Sequence, residues 1–509
     1  MSSSQKARHS DIRLPAVLAI GFTGHRNLPP DEAKCRQLIR NFLAEKKAAV
    51  AGIVYGVSSV AEGADLLFAE SCLQLGIPLQ VLLPFPREDF LKNFDPAARA
   101  RSERVMQKAV SVEVTGDPAF PEQRYYECGI EMVQRSQLIV ALWDGESARG
   151  LGGTAEIVSF ASTMGRPVVW FHSVTGNVGF FNREAEKELG NDPELTFLNG
   201  LPDRGGGLQG DPSLPNSPTN IARAWFGKLD ANASRMAPQV RRLASIPIVC
   251  TAAAALASGV ASRIASPGAS LAIGAVLGIA AGALPAMLRL SQRQALWART
   301  RTATEVCRSV LSLWDAPGIY PVIGPEVIPE LADVLMSLNL LKALSASPEG
   351  VSAGVPIEAF KARYVTERVT HQIEYFSKHA VESAREAKRF RFVAKGCSAI
   401  AIGVSVWTFV RGRLSGVHDP AVGKELAIAA SFLFQIATVA GALLIVNDCE
   451  RRQRRYRELH ESLTAWDREL KALRTWPPVL QVAVRIEKAL LAEIIEWRSL
   501  IRNRKMPRN

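Results

Sequence analysis

The first third of the chain alternates short apolar runs with longer mixed segments. Six runs have the length and β-branched content of strands; between residues 14 and 173 they are PAVLAIGFTG, AGIVYGV, PLQVLLPF, VSVEVTG, SQLIVALWDG and GRPVVWFHS. Helical patterns separate most of them, and such alternation is typical of a parallel sheet with helices on both faces. The sequence therefore predicts an α/β Rossmann-like parallel-sheet N-terminal domain, whose ligand would bind beyond the carboxyl ends of the strands.

The rest of the chain contains four stretches without a charged side chain, at residues 243–262, 264–288, 396–410 and 426–447. About 20 apolar residues are needed to cross a hydrocarbon core. The first, second and fourth stretches reach that length. The stretch at 396–410 is shorter, and it reaches the length only if residues 392–394 are included. We predict an all-α membrane region with four transmembrane helices in two hairpins and long cytoplasmic helices. The alternative is a set of buried helices in a soluble bundle, which runs as rich in alanine as AAAALASGVAS could also form.

The net charge of +12 is informative because the basic residues are unevenly distributed along the chain. Basic residues cluster beside the apolar stretches, as the positive-inside rule predicts for cytoplasmic flanks, and this distribution argues against a nucleic-acid partner. We expect the N-terminal domain and both ends of each hairpin to be cytoplasmic, with contact to anionic lipid headgroups as a secondary role of the basic flanks. The seven cysteines are scattered singly, which indicates reduced thiols, and the first twenty residues show no signal peptide.

Within the second apolar stretch, Gly274, Gly278 and Gly282 recur every four residues. They form one stripe on which another helix backbone can approach closely, either in the same chain or in another subunit. Changes in composition divide the chain into five parts. These are a nucleotide-binding domain (1–200), a linker (201–220), a first hairpin with a basic helix (221–317), a connecting segment (318–355) and a second hairpin with flanking cytoplasmic helices (356–509).

The first candidate site loop follows strand one in the motif GFTGHRN. Gly24 permits a tight turn, and Thr23, His25 and Arg26 project into the expected crevice. The planar guanidinium of Arg26 is suited to hold a phosphate. The alternative is a simple turn with an exposed basic pair.

The second candidate loop is SSVAEGAD. Ser58 and Ser59 leave the end of strand two, Gly63 lets backbone approach a ligand, and the following helix offers free N–H groups to an anion. The alternative is that Glu62 or Asp65 caps that helix.

The third candidate loop is WDGESARGLGGTAE. Asp144 ends a strand, Gly152 and Gly153 belong to a flexible loop, and Thr154 opens a helix that carries Glu156. Such a loop at a helix N-terminus can cradle phosphate. The motifs match neither the GxGxxG fingerprint nor the GxxxxGK[ST] loop, so a dinucleotide oxidoreductase and an ATPase are both disfavoured. We predict no cofactor and no metal.

Taken together, GFTGHRN, AEGAD and GGTAE resemble motifs of the SLOG superfamily, the Rossmann-like nucleotide-binding domains related to DNA-processing protein A and the cytokinin-activating LOG enzymes. The resemblance covers about residues 14–200. It implies a nucleotide or ADP-ribose-like ligand near the residues that match the motifs, which are Gly24, Arg26, Ser58, Gly63, Gly152, Gly153 and Thr154. LOG enzymes carry a GGxGTxxE-type loop, whereas here Glu156 follows GGT after one residue, so binding is favoured over hydrolysis.

The helix, hairpin, helix arrangement of the second half resembles SLATT domains, two-helix membrane modules proposed as pore-forming effectors. The second copy, about 356–509, is the clearer match, and the first lies at about 220–317. The resemblance implies a bacterial inner-membrane effector, homo-oligomeric, that senses a nucleotide-derived signal in antiviral defence and opens or disrupts the membrane. The alternatives are a membrane-tethered nucleotide N-glycosidase, with Glu156 catalytic and Arg26 on phosphate, and a passive anchor.

Overall fold

The computed structural model describes residues 12–29, 31–115, 123–147, 151–186, 189, 192–204, 217–240, 293–318, 328–345, 355–414, 420–446 and 448–503. The chain divides into two compact units. One comprises Met1–Asn232 and Thr300–Phe360, and the other comprises Ala233–Arg299 and Lys361–Asn509. The first predicted hairpin and its glycine stripe lie outside the described residues, and so do most of the predicted 201–220 linker and the end of the connecting segment.

The first unit is built around a seven-stranded sheet. Its strands are β1 Val17–Gly24, β2 Ile53–Ser58, β3 Leu79–Leu83, β4 Ser111–Val114, β5 Leu138–Trp143, β6 Val168–His172 and β7 Val178–Phe181. Their spatial order is β4-β3-β2-β1-β5-β6-β7. The first six are parallel, and β7 runs antiparallel to β6. The six predicted strands and the mostly parallel Rossmann-like sheet are confirmed, and β7 is an addition at the edge.

Strand β1 shows why helices cover both faces of the sheet. Its side chains point alternately to opposite faces. Leu18 and Ile20 belong to one buried apolar cluster, whereas Val17 and Ala19 belong to a second one. Each cluster is closed by helices, which are in chain order α1 Glu32–Ala49, α2 Ala64–Gln74, α3 Arg87–Leu91, α4 Pro96–Lys108, α5 Arg124–Gln134 and α6 Thr154–Thr163. The result is a three-layer α/β domain.

A helix from the predicted connecting segment completes the second cluster. Residues Ala332–Ser345 are helical, and Met336 and Leu340 are buried in the same cluster as Val17. The Ser337 hydroxyl also donates a 2.7 Å hydrogen bond to the carbonyl oxygen of Pro15, just before β1. This part of 318–355 is thus a component of the sheet domain, because the face of the sheet that it covers would otherwise be exposed.

Residues 218–240 form a helix that begins inside the predicted linker. Its start is favoured by Ser217, whose hydroxyl accepts a 3.3 Å hydrogen bond from the Asn220 amide, and by proline at the first helical position. Asp230 on this helix pairs with Arg308 of the helix Arg293–Ser312 at 2.7 Å. The basic helix predicted after the first hairpin is therefore present, and its part from Thr300 onwards belongs to the first unit.

In the described C-terminal part of the chain, all regular secondary structure is helical. Its elements are a helix Ile357–Tyr364, a π-helical turn Val365–Thr370, and helices His371–Leu414, Pro420–Val446, Cys449–Ala472 and Trp476–Asn503. Two helices in the described residues are long and apolar enough to cross a membrane. They contain the third and fourth predicted spans. The third span is continuous with the charged segment before it, so charged and apolar halves form one helix of 44 residues.

The apolar side chains of these two helices are largely exposed within the chain. Only 6% of the apolar window in the first helix and 17% of that in the second are buried. Ile400, Trp407 and Phe409 are all more than half exposed. Core helices of a soluble bundle would bury such side chains, so this feature favours membrane helices for this pair.

A buried ion pair joins the π-helical turn to the last helix. Arg368 donates to both carboxylate oxygens of Glu487, at 3.0 and 2.7 Å, and the hydroxyl of Tyr364 donates to the same carboxylate at 2.9 Å. The side chains of Arg368 and Glu487 are 7% and 0% exposed. Since each charge needs the other in this environment, the turn and the last helix are held in one fixed arrangement.

Candidate functional site

A cavity of about 690 Å³ lies beyond the carboxyl ends of the strands. It opens beside β1, where the strand order reverses. The chain adds β2, β3 and β4 on one side of β1, and then returns to add β5 on its other side. Ligands of open α/β sheets bind at this switch point. The volume is within the usual range of small-molecule sites, about 300–1,000 Å³.

Eleven of the fourteen residues predicted from the sequence line this cavity. They are Thr23, Gly24, His25, Arg26, Ser59, Glu62, Asp65, Asp144, Gly152, Gly153 and Thr154. The three loops that the sequence singles out are therefore neighbours in space. Ser58, Gly63 and Glu156 do not line the cavity.

The loops after β1 and β5 meet across the switch point through His25 and Asp144. The Nε2 atom of His25 lies 3.0 Å from the Asp144 amide nitrogen and 2.9 Å from its Oδ1. A neutral Nε2 accepts from the amide, and a protonated one donates to the carboxylate. The backbone adds a hydrogen bond of 3.1 Å from the His25 amide to the carbonyl oxygen of Leu142. The two strand ends are thereby fixed relative to each other.

Gly63 has a structural role behind the cavity. It adopts a φ of +88°, and a Cβ there would lie 2.1 Å from the carbonyl oxygen of Arg26. This close approach lets the amide of Ala64, the first residue of α2, donate to the carbonyl oxygen of His25 at 3.0 Å. Gly63 thus holds the loop that carries Arg26 against the start of α2.

Neither acidic residue of the second loop caps α2, so the capping alternative is wrong. The N-cap is Gly63, which has no side chain to accept a hydrogen bond. Glu62 instead accepts a 2.5 Å hydrogen bond from the amide of Asp95, the residue that caps α4. Asp65 accepts from the hydroxyl of Ser59. The start of α2 at the cavity is therefore without a side-chain cap.

Asp65 is a buried carboxyl group in the cavity wall. It is 7% exposed, and its Oδ1 has no hydrogen-bond partner among the described residues. Burial raises the pKa of Asp65 to about 7, although the Ser59 hydroxyl, nearby backbone amides and the charge of Arg26 act against the rise. A group in this state can accept a hydrogen bond from a ligand when ionised and donate one when protonated.

The glycine-rich loop is organised by Glu156. Its carboxylate accepts a 2.6 Å hydrogen bond from the amide of Gly152, the residue before the N-cap of α6. Gly152 has a φ of +79°, and Gly153 is the N-cap of α6. Like α2, α6 begins without a side-chain cap. Glu156 shapes the loop from outside the cavity.

Arg26 is the cation at the cavity mouth. It is exposed and makes no hydrogen bond or ion pair with the residues that the structure describes. Two uncapped helix starts lie near it in the same cavity wall, and helix N-termini attract anions. This part of the cavity can therefore bind a negatively charged group.

Sequence reasoning did not find the aromatic and helical part of the cavity. Tyr125, Cys128, Gly129 and Met132 of α5 line it, together with Trp143 at the end of β5 and Ser173 and Val174 after β6. Ser173 could have been found from the strand-end rule, because β6 is parallel to β5. Nothing in the sequence of α5 marks it as cavity lining. The rings of Tyr125 and Trp143 offer flat apolar surfaces suited to a planar ligand.

The chain matches no protein-family model and no curated protein. Among the described residues there is no group of three or more His, Cys, Asp or Glu side chains that could hold a metal ion. The geometry of the cavity is therefore the basis for assigning its chemistry. It combines an anion-binding end at Arg26, a buried carboxyl group and aromatic faces.

Proposed function

We propose that this chain is a membrane effector that senses a nucleotide-derived ligand, such as ADP-ribose or a related nucleotide. The observation that carries the proposal is the switch-point cavity, in which Arg26 has no hydrogen-bond or ion-pair partner among the described residues and two helices begin without a side-chain cap. A phosphate of the ligand would bind there, ribose hydroxyls would meet Asp65, and the base would lie against Tyr125 or Trp143. Each part of a nucleotide thus has a chemically matched region of the cavity.

The apolar helices support the membrane part of the proposal. Two of them are long enough to cross a bilayer and expose their apolar side chains. We propose a bacterial inner-membrane location with the sheet domain in the cytoplasm, and a homo-oligomer that opens or disrupts the membrane during antiviral defence. The defence role and the oligomer rest on the resemblance to SLOG and SLATT domains. A shift from 1% to 99% active protein requires the ligand to prefer the active state by about 5.5 kcal/mol.

The proposal is tested by ligand-induced stabilisation of the detergent-solubilised full chain. AMP, ADP-ribose and cyclic di-AMP are the probes, and at least one should raise the melting temperature. At a concentration 100 times Kd, binding adds about 2.7 kcal/mol of stability. Arg26→Ala should weaken binding of that probe by about 10- to 100-fold, since a charge-assisted hydrogen bond contributes about 1.5–3 kcal/mol.

The matched control is Arg40→Ala, which removes an exposed arginine on α1 that does not line the cavity. It should leave binding unchanged. In liposomes loaded with a self-quenched dye, the active probe should release dye from wild type and not from the Arg26 variant. The sensor proposal fails if no probe stabilises the protein, or if the two arginine variants bind equally well.

The glycosidase alternative is disfavoured by the position of Glu156, whose carboxylate is engaged by the amide of Gly152. We expect incubation of wild type with the stabilising nucleotide to release no free base, as measured by chromatography. Glu156→Gln should bind the nucleotide normally, because an amide oxygen can also accept from Gly152. Release of free base by wild type and its loss in Glu156→Gln would instead establish hydrolysis.

A further inference from the structure

A basic cleft lies on the helix His371–Leu414 where its charged half meets its apolar half. The cleft is a shallow, open depression on the surface of this one helix, lined by Lys388, Arg391, Phe392, Lys395 and Gly396. These positions follow the spacing i, i+3, i+4, i+7 and i+8, so they share one face of the helix. A side chain at Gly396 would meet open space. No described residue therefore covers this face of the helix at Gly396.

The cleft carries an excess of positive charge. Lys388 and Lys395 are exposed and make no hydrogen bond or ion pair in the described part of the chain. Arg391 donates to Oε1 of Glu450 at 2.6 Å, and both side chains are about half exposed. Three cations face one carboxylate, which leaves an excess of two positive charges available to an anion.

The neighbouring basic segment at residues 451–455 is only partly neutralised, because its four arginines share two carboxylates in the described residues. Arg451 and Arg455 pair with Glu496, and Arg452 pairs with Glu386. The two lysines of the cleft are distinguished by their position, because Lys388 and Lys395 share one helix face with Phe392, and Lys395 directly precedes the charge-free stretch.

The cleft also has an apolar side. Phe392 is 79% exposed, and the charge-free stretch of the helix begins at residue 396. In a helix that crosses a bilayer, this level is where phosphate headgroups meet acyl chains, and cations and aromatic rings favour it. We propose that the cleft binds the headgroup of an anionic phospholipid, with Phe392 against the first carbons of its acyl chains. This proposal rests on the proposed function in one respect, the crossing of the bilayer by this helix.

The experiment is a lipid titration of the full chain in the uncharged detergent dodecyl maltoside. Lipid adducts are counted by native mass spectrometry with dioleoyl phosphatidylglycerol and with dioleoyl phosphatidylcholine. We expect preferential binding of phosphatidylglycerol. The double variant Lys388→Gln/Lys395→Gln should lower its apparent affinity by about ten- to thirtyfold, given the contribution of each basic residue near anionic lipid.

The matched control is Arg454→Gln/Arg457→Gln, which removes two exposed arginines that have no ion-pair partner in the described residues and lie outside the cleft. It should change the affinity by less than about twofold, because long-range attraction is weak once screened by salt. Equal binding of the two lipids, or equal losses in the two double variants, would overturn the proposal. Binding of sn-glycerol 3-phosphate as tightly as the lipid would assign the cleft to a free phosphate instead.

A separate experiment distinguishes failure of the proposed membrane crossing from failure of the lipid-binding cleft. Wild type is reconstituted in phosphatidylcholine liposomes and washed with alkaline carbonate. Retention in the pellet together with no preference for phosphatidylglycerol would refute only the lipid cleft. Release from the liposomes would refute the membrane crossing, and the lipid cleft with it, while ligand binding by the sheet domain is measured independently.

Discussion

Replacement of Glu487 with alanine should destabilise the C-terminal helices by about 3–5 kcal/mol, because it leaves a buried arginine without its counter-charge. Arg368 is 7% exposed and donates two hydrogen bonds to this carboxylate. Tyr364 loses its 2.9 Å hydrogen bond to this carboxylate and keeps the 3.3 Å one to the carbonyl oxygen of Ala483. The pKa of Tyr364 is raised well above its ordinary value, chiefly by burial and then by the charge of Glu487. The effect is measured as a fall in melting temperature in detergent and as faster proteolysis of the helix Trp476–Asn503.

The control for this prediction removes both charges together. The double variant Arg368→Met/Glu487→Leu keeps apolar volume in the site, and replacement of a buried pair in this way is often neutral or stabilising. It should unfold close to wild type. A single Glu487→Ala variant as stable as wild type would show that the carboxylate is not buried with Arg368 in solution.

Asp65 should make the stability of the sheet domain depend on pH. Its folded-state pKa is raised from 3.8 to about 7, so the folded state holds the proton more tightly than the unfolded chain does. Below about pH 4 the carboxyl is protonated in both states and its burial carries no ionisation penalty. As the pH rises to about 7 the penalty grows, and at about 1.36 kcal/mol for each pH unit it reaches at most about 4 kcal/mol.

The measurement compares the melting temperatures of wild type and Asp65→Asn between pH 5 and pH 8. The variant should gain stability relative to wild type as the pH rises, because its amide does not ionise. Asp89→Asn removes an exposed carboxyl in the same domain and should show no such trend. A constant difference between Asp65→Asn and wild type across this range would contradict a raised pKa.

The strands of the sheet could be predicted because their signal is local. Each is a β-branched run bounded by turn residues, and the strand ends located the loops of Arg26, Ser59 and Asp144. The edge strand Val178–Phe181 has only four residues and contains Gly179, too little for an alternating pattern. The helix Ala332–Ser345 packs on a sheet that begins more than 300 residues earlier, and no local pattern reveals that contact.

Side-chain direction limited the prediction of the site. A strand end places a residue near the crevice, but it does not decide whether the side chain faces the ligand or the core. Ser58 is fully buried, whereas Ser59, one residue later, lines the cavity. Glu156 reaches back to the amide of Gly152, a contact that depends on the exact path of the loop. The motifs thus predicted which loops form the cavity more accurately than they predicted the role of each side chain.

The 44-residue helix His371–Leu414 has a mechanical consequence. At 1.5 Å per residue it is about 66 Å long, roughly twice the thickness of a hydrocarbon core. In the membrane crossing that we propose, one end of this helix lies in water and the other in lipid, so the helix would act as a lever arm. A tilt of about 5° at its first turn would displace its far end by about 6 Å, a distance comparable to one turn of helix. In that arrangement, a small rearrangement beside the π-helical turn would move the apolar end of the helix by several ångströms within the bilayer.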